Sequence, residues 1–399
     1  MGEAPWLTII GVGEDGLEGL APASRAVLER AQVIMGPPRH LALVPDLGQE
    51  RLPWPVPFAA GLPLLQAQRG RRVVVLASGD PFWFGAGSVI ARVLHADEWR
   101  ALPGPSTFAL AAARRGWPLE QTACLGLHAA PLTRLRPHLA PGRRAIVLLR
   151  DGAAVAALGS YLTDLGFGAS RLWIMEALGG PREQVTEALA EALPAAPFAH
   201  PLCVALEIAG TGAVVPLASG IDDDFFDHDG QISKRPVRAL ALSALAPRPG
   251  ERLWDIGGGS GSIAIEWLLR DPAMQAVSIE PVAARAARIR ANAAQLGVDR
   301  LQVVEGAAPV ALQGLPPPHA VFIGGGLSAD LLTTLADLLP PATRLVAHAV
   351  TLESEAVLTA AQARWGGELL RIELAQATPL GSRRGWKSAF PIVQWRATR

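Results

Sequence analysis

The sequence predicts an α/β protein in two parts: an N-terminal half of two α/β subdomains, then a Rossmann-like α/β domain. Three observations predict this. Short apolar β runs alternate with helical patterns along nearly the whole chain, which reads as βαβ units around mostly parallel sheets. A glycine-rich loop follows a strand in each half. The 399 residues suffice for two or three domains, and with 50% hydrophobic and 18% charged residues each can bury a sizeable core.

The elements follow in order. In the first block, about 7–127, LTIIGV reads as a strand, SRAVLERA as a helix and VIM as a strand. A Pro-rich bend runs through Pro57, then come strand VVVLA and the helical patterns GSVIARVL and TFALAAARR. The second block, about 143–208, alternates in the same way, with strand AIVLL, helix AAVAALGSYLTDLG, strand RLWIMEAL and closing strand PLCVALEI. Together they predict a domain over 1–210, with subdomains of about 1–128 and 143–208. Residues 209–230 are Gly-rich and then acidic, so 211–230 is expected to be an inter-domain linker. The domain over 231–399 opens with helix RPVRALALSALA and strand RLWDI. It continues as helix SIAIEWLLR, strand AVSIE, helix AARAARIRANAAQLG, strands LQVVEG and HAVFIG, helix SADLLTTLADLL, strand RLVAHAV and helix LESEAVLTAAQARWG. The runs LLRIELAQ and FPIVQW are expected to form an antiparallel hairpin at the sheet edge.

Composition excludes some functions. Lys+Arg and Asp+Glu are 36 each, which argues against a nucleic-acid partner, because phosphate neutralisation needs surplus cations. Cys124 and Cys203, in ACLGL and LCVAL, are too few for a disulfide framework or a Cys-rich metal site, and no metal is expected. The segment MGEAPWLTII has no basic n-region or cleavage site, and no run of 18 apolar residues is free of charges and breaks. A cytoplasmic protein without a membrane partner is expected.

The loops carry the functional signal. The strand ending at Asp255 and Ile256 runs into Gly257-Gly258-Gly259-Ser260-Gly261 and then a helix, and Glu280 ends the next strand. Glycines there let the backbone approach a ligand, and an acid about 20 residues on reaches a ribose hydroxyl pair. Ser262 stands where a dinucleotide fingerprint has its third glycine. Asp255 suits a cationic or zwitterionic ligand such as S-adenosylmethionine better than NAD, whose phosphates it would repel; a purely structural turn is the third possibility. In the first half, Gly11-Val12-Gly13-Glu14-Asp15-Gly16 matches G-x-G-x-x-G, but Glu14 and Asp15 would repel a pyrophosphate and no acid follows Met35. Ser78-Gly79-Asp80-Pro81 and Pro103-Gly104-Pro105-Ser106-Thr107 also close strands, so three small-residue loops converge on one crevice.

These three loops resemble those of the tetrapyrrole (corrin and porphyrin) methylases, in which they bound a cleft between two α/β subdomains. The resemblance implies that S-adenosylmethionine binds there, at the opening loop with Gly11 and Gly13 and at Ser78, Gly79, Asp80, Trp83, Ser106 and Thr107. Glu14 replaces a common Pro, and Phe84 a common Tyr. The C-terminal half resembles the class I methyltransferase that partners this domain in cobalamin synthesis, through DHDGQISKRPVRALALSALAPRPGERLWDIGGGSGSIAIE, VEGAAPVAL, VFIGGG, VAHAVTLES and PLG. It implies a second S-adenosylmethionine at Ser233, Gly257, Gly258, Gly259, Ser260, Gly261, Glu280 and Ala308. Ala307 stands where an Asp beside the adenine is usual, and His348 where Asn is common.

Fused in this order, the halves resemble the decarboxylating precorrin methyltransferases over essentially the whole chain. The resemblance implies methylation of a precorrin-6 tetrapyrrole at meso carbons 5 and 15, with loss of the ring C acetate carboxyl to give precorrin-8. It also implies a homo-oligomer, dimer or tetramer. His348 and Glu353 follow a strand expected at the cleft floor and are candidates to shuttle a proton. His128 borders the first cleft. Arg235, Arg238, Arg383 and Arg384 are candidate clamps for substrate carboxylates, each also readable as structural. Alternatives are an RNA methyltransferase, a single-site methyltransferase with a non-catalytic N-terminal scaffold, and an NAD-dependent dehydrogenase.

Overall fold

Strands β1 (Leu7–Val12), β2 (Val33–Gly36), β3 (Glu50–Pro53), β4 (Val73–Ser78) and β5 (Trp99–Leu102) form a parallel sheet of order β3-β2-β4-β1-β5. The structure, a computed structural model, describes residues 5–195 and 197–399. Residues of β1 and β4 alternate between two cores. Leu7, Ile9, Val73 and Val75 pack on one face, and Ile10, Val12, Val74 and Leu76 on the other. Both faces are covered, so these strands read as unbroken apolar runs. The edge strands β3 and β5 are half exposed, and their sequences ERLP and WRAL carry no such signal. The pattern GSVIARVL is helical only over Ala86–Ile90.

The second sheet departs from expectation. Strands β6 (Thr122–Gly126), β7 (Arg144–Leu149), β8 (Arg171–Glu176), β9 (Gln184–Leu189) and β10 (Leu202–Glu207) take the order β6-β7-β10-β8-β9. Strand β7, helix Gly152–Asp164 and β8 form the anticipated βαβ unit. However, β10 inserts between β7 and β8 and runs antiparallel to both. Among the described residues no helix links β8 to β10. The chain turns back through β9, a strand the sequence hides because QVTEAL is exposed and rich in helix formers.

Strands β11 (Arg252–Ile256), β12 (Gln275–Glu280), β13 (Gln302–Glu305), β14 (Ala320–Ile323) and β15 (Arg344–Ala349) are parallel, with order β13-β12-β11-β14-β15. Because β12 and β14 flank β11 on opposite sides, the chain reverses direction across the sheet at the end of β11, where α/β sheets open a ligand crevice. The sheet continues through β19 (Ile392–Thr398) to β16 (Glu368–Ile372), which pair antiparallel as anticipated for the terminal runs. Between them in sequence, β17 (Ala375–Leu380) and β18 (Arg383–Ser388) form a separate exposed hairpin that hydrophobic patterning does not predict.

The chain divides into two compact units, Met1–Leu132 with His138–Ala213, and Thr133–Pro137 with Val214–Arg399. The stretch expected as a linker contributes Val215, Ile221 and Phe226 to the core of the second unit. Among the described residues no helix is long and apolar enough to cross a membrane.

Candidate functional sites in the two units

In the first unit the ends of β1 and β4 and the loop after β5 meet at three glycines. Gly79 N–H donates to Val12 O at 3.1 Å, and Gly104 N–H donates to Gly79 O at 3.0 Å. A Cβ on Gly11 would lie 1.7 Å from Gly79 O and 2.5 Å from Gly104 N. Gly11 therefore packs the loops together, while Gly13 lines the cavity above them. Gly11→Ala is expected to destabilise this unit by at least about 2 kcal/mol, read as a lower urea midpoint; a wild-type midpoint would contradict the packing.

The cavity, of about 310 Å³, is lined by Gly13, Ser78, Gly79, Asp80, Trp83, Ser106 and Thr107, so the loop residues singled out in the sequence do converge, apart from Gly11. Asp80 Oδ1 accepts from Phe82 N–H at 2.8 Å, and Ser106 Oγ caps helix Thr107–Arg115 through Ala109 N–H at 3.1 Å. Trp83 leans on Phe108 with ring centroids 5.0 Å apart. Phe84 next to it holds a positive φ of 56°, a strained conformation typical of functional loops. His128 lines the same space, and burial pushes its pKa down.

The second cavity, of about 450 Å³, opens where β11 ends. Gly257, Gly258, Gly259, Ser233, Glu280, Ala307 and Ala308 line it. Gly257 has φ +74°, and a Cβ there would lie 2.6 Å from Gly325 N. Glu280 accepts from Gly259 N–H at 2.9 Å and Val282 N–H at 3.0 Å, one on each oxygen, which ties the end of β12 to the glycine loop. Asp255 lines the cavity although it is 1% exposed. Burial raises its pKa to about 7 against the hydrogen bond from Ser278 Oγ, 3.3 Å away. Ser260 and Gly261 lie outside the lining. Ser260 is buried, with its carbonyl accepting from Asn292, and Gly261 has φ +78° and backs onto Ile289.

A family model described as Tetrapyrrole (Corrin/Porphyrin) Methylases matches residues 6–194, and one described as Precorrin methyltransferase domain matches residues 224–399. A relative from Sinorhizobium sp, named precorrin-6Y C(5,15)-methyltransferase (decarboxylating), is 51% identical over 401 residues, covering 99% of this chain and 97% of the relative. The chain belongs to the precorrin-6Y C5,15-methyltransferase family. A relative of the same name from Mycobacterium tuberculosis (strain ATCC 25618 / H37Rv) is 41% identical, covering 98% of this chain and 100% of the relative. The crystal structure of the C-terminal domain of precorrin-6Y C5,15-methyltransferase from Rhodobacter capsulatus is 53% identical, covering 46% of this chain and 100% of that one, with a TM-score of 0.45.

Within this precorrin methyltransferase, two residues expected to be catalytic, Arg238 and Glu353, lie outside the cavity lining. Arg238 is 0% exposed and lies outside the cavity lining. Its Nε donates to Glu266 Oε1 at 2.6 Å and one terminal nitrogen donates to Asp223 Oδ1 at 3.0 Å; the carbonyls of Ser233 and Ile221 also accept from it. Four of its five N–H donors are spent inside the protein and the side chain is fully buried, so Arg238 holds the entry segment to the core rather than meeting a substrate. Glu353 sits exposed in the first turn of helix Leu352–Trp365, outside the lining, because the chain turns outward after Val350. Arg235, Arg383 and Arg384 are exposed and also lie outside it. His348 does line the C-terminal cavity. Its Nε2 lies 3.0 Å from Gln394 Oε1, its ring stands edge-on to Phe322, and burial pushes its pKa down.

Sequence reasoning missed Arg39, His40 and His200, which line the N-terminal cavity. The signal for the first two is present in the sequence: Arg39 and His40 follow the end of β2 after Pro37-Pro38, at the carboxyl end of a parallel strand.

Proposed function

We propose that the chain is a bifunctional S-adenosylmethionine-dependent C-methyltransferase. It methylates precorrin-6Y at carbons 5 and 15 and releases carbon dioxide from the ring C acetate, giving precorrin-8. The domain over 1–210 is assigned carbon 5, and the domain over 231–399 carbon 15 and the decarboxylation. The observation that carries this reading is that each unit holds its own cavity at the carboxyl ends of parallel strands, in a chain related end to end to enzymes of that name.

The residues present suit the methyl donor. Asp255 is a buried carboxylate facing a cavity; its hydrogen-bond partners are Ser278 and the backbone of Ala264, neither of them a cation, and a ligand ammonium would supply one. Glu280, at the end of β12, is placed for a ribose hydroxyl pair. Asp80, Ser106 and Thr107 offer the corresponding polar groups in the first cavity. When bound, S-adenosylmethionine supplies an electrophilic methyl group on a cationic sulfur.

The nucleophile is an electron-rich meso carbon of the tetrapyrrole, so no protein nucleophile is needed. Burial pushes the thiols of Cys124 and Cys203 up to about 11 and about 12, which keeps both protonated and inert. The protein's work is to align donor and acceptor and exclude water. Positive charge left on the macrocycle by methylation draws in the electron pair of the acetate C–C bond as carbon dioxide leaves, and the remaining carbon takes a proton. His348 is suited to move that proton. With Gln394 Oε1 accepting from Nε2–H, Nδ1 is its basic atom.

Incubating the full chain with precorrin-6Y and S-adenosylmethionine tests the proposal by mass spectrometry of the product. Two methyl groups gained and one carbon dioxide lost per tetrapyrrole are expected. A product that retains all its carboxyls, or gains a single methyl group at completion, would contradict it.

A further inference from the structure

The strongest feature left unused lies beside the N-terminal cavity, where one carboxylate of its lining, Glu14, holds two guanidinium groups: Arg39, which also lines the cavity, and Arg182, which lies just outside the lining. Glu14, in the loop after β1, has a side chain only 8% exposed. Arg39 donates to its Oε1, and Arg182, in the turn between β8 and β9, donates to its Oε2 at 3.1 Å. The turn reaches Glu14 because Gly180 has no side chain; a Cβ there would lie 2.5 Å from Glu14 Cβ. Arg39 also donates to Ser78 Oγ at 3.0 Å, which pins its fork at the cavity wall.

Charge decides what this cluster receives. Two arginines and one glutamate leave a surplus of one positive charge. The neighbouring His40 adds none: burial first, and Arg39 second, push its pKa to about 4. Burial first, and the nearby Arg182 second, push the pKa of Arg39 down, so a further anion between the two guanidinium groups would relieve their repulsion. The Arg39 side chain is 30% exposed and that of Arg182 is 62% exposed, so both retain open surface that a ligand can approach.

We infer that Arg39 and Arg182, positioned by Glu14, receive a carboxylate side chain of the tetrapyrrole at the N-terminal cavity and so set its orientation for methylation there. The inference rests on the proposed function. The methyl donor also carries a carboxylate, and the test separates the two sources.

Arg39→Gln and Arg182→Gln are made in the full chain. Three quantities are measured: the KM for tetrapyrrole in the N-terminal methylation, S-adenosylhomocysteine affinity, and carbon dioxide release. Arg39→Gln is expected to raise that KM about 10-fold or more, the effect of losing a charge-assisted hydrogen bond, and Arg182→Gln by a smaller factor. S-adenosylhomocysteine affinity and carbon dioxide release should stay at wild-type values, which also shows that both variants fold. Arg39→Lys should recover part of the loss by keeping the charge without the fork. An unchanged KM in both glutamine variants would overturn the inference. So would a fall in S-adenosylhomocysteine affinity, which would place the donor's carboxylate on these arginines. If the wild-type chain neither methylates nor decarboxylates, the proposed function itself fails, a result distinct from an unchanged KM in active variants.

Discussion

Replacing Arg238 by methionine is expected to destabilise the C-terminal unit by about 3–5 kcal/mol, because it strands the carboxylate of Glu266 in the core. Both side chains are 0% exposed. Glu266 would keep the N–H groups of Gly220 and Ile221, at 2.7 and 3.0 Å, but no cation of comparable geometry. Arg238 also packs its guanidinium 4.9 Å from the Phe226 ring centroid and ties down the Ser233 carbonyl. Because Ser233 and Lys234 line the cavity, donor binding should weaken along with stability. Urea unfolding followed by circular dichroism measures the loss. The double variant Arg238→Met, Glu266→Met should recover a substantial part of it, since removing both charges leaves none unpaired. A loss below about 1 kcal/mol in the single variant would show that Glu266 is not held as an anion.

The second large effect has opposite signs for stability and function. The Asp255 carboxyl titrates near 7 in the folded protein against an ordinary value of 3.8. The folded state therefore holds this proton more tightly than the unfolded state. Stability from this group is fully present below pH 4, falls as pH rises from about 4 to 7, and changes no further above that. Asp255→Asn removes the penalty, so above pH 7 the ligand-free variant should be more stable than wild type by up to about 4 kcal/mol, and the advantage should shrink at pH 5. The same change removes the buried anion that would meet the donor's ammonium, and should weaken donor binding in the C-terminal cavity about 10–100-fold. Urea midpoints at pH 5 and pH 8 check the first part. A variant less stable than wild type at pH 8 would mean that Asp255 serves the fold rather than a ligand.

The sequence was legible where burial is complete. Strands β1, β4, β11 and β12 are covered on both faces, and their apolar runs announce them. The exposed strands β9, β17 and β18 have no face to bury, so hydrophobic patterning passes over them. The insertion of β10 between β7 and β8 is a long-range choice that local patterning does not encode. Among site residues, glycine loops are read well because close approach of backbones admits few other residues. Arginines are read poorly. Arg238 looked like a clamp because its partner Glu266 lies 28 residues away; the clue was a lone acid inside the apolar helix SIAIEWLL. Arg39 and Arg182 come together only through the approach of the β8–β9 turn to Glu14.

Calorimetry of S-adenosylhomocysteine binding to the full chain tests the two-site account most directly. Wild type should bind two equivalents per chain. Asp255→Asn should retain one at wild-type affinity, in the N-terminal cavity, and Asp80→Ala should retain the other. A single equivalent in wild type, or loss of both with Asp255→Asn, would contradict two independent methyl-donor sites.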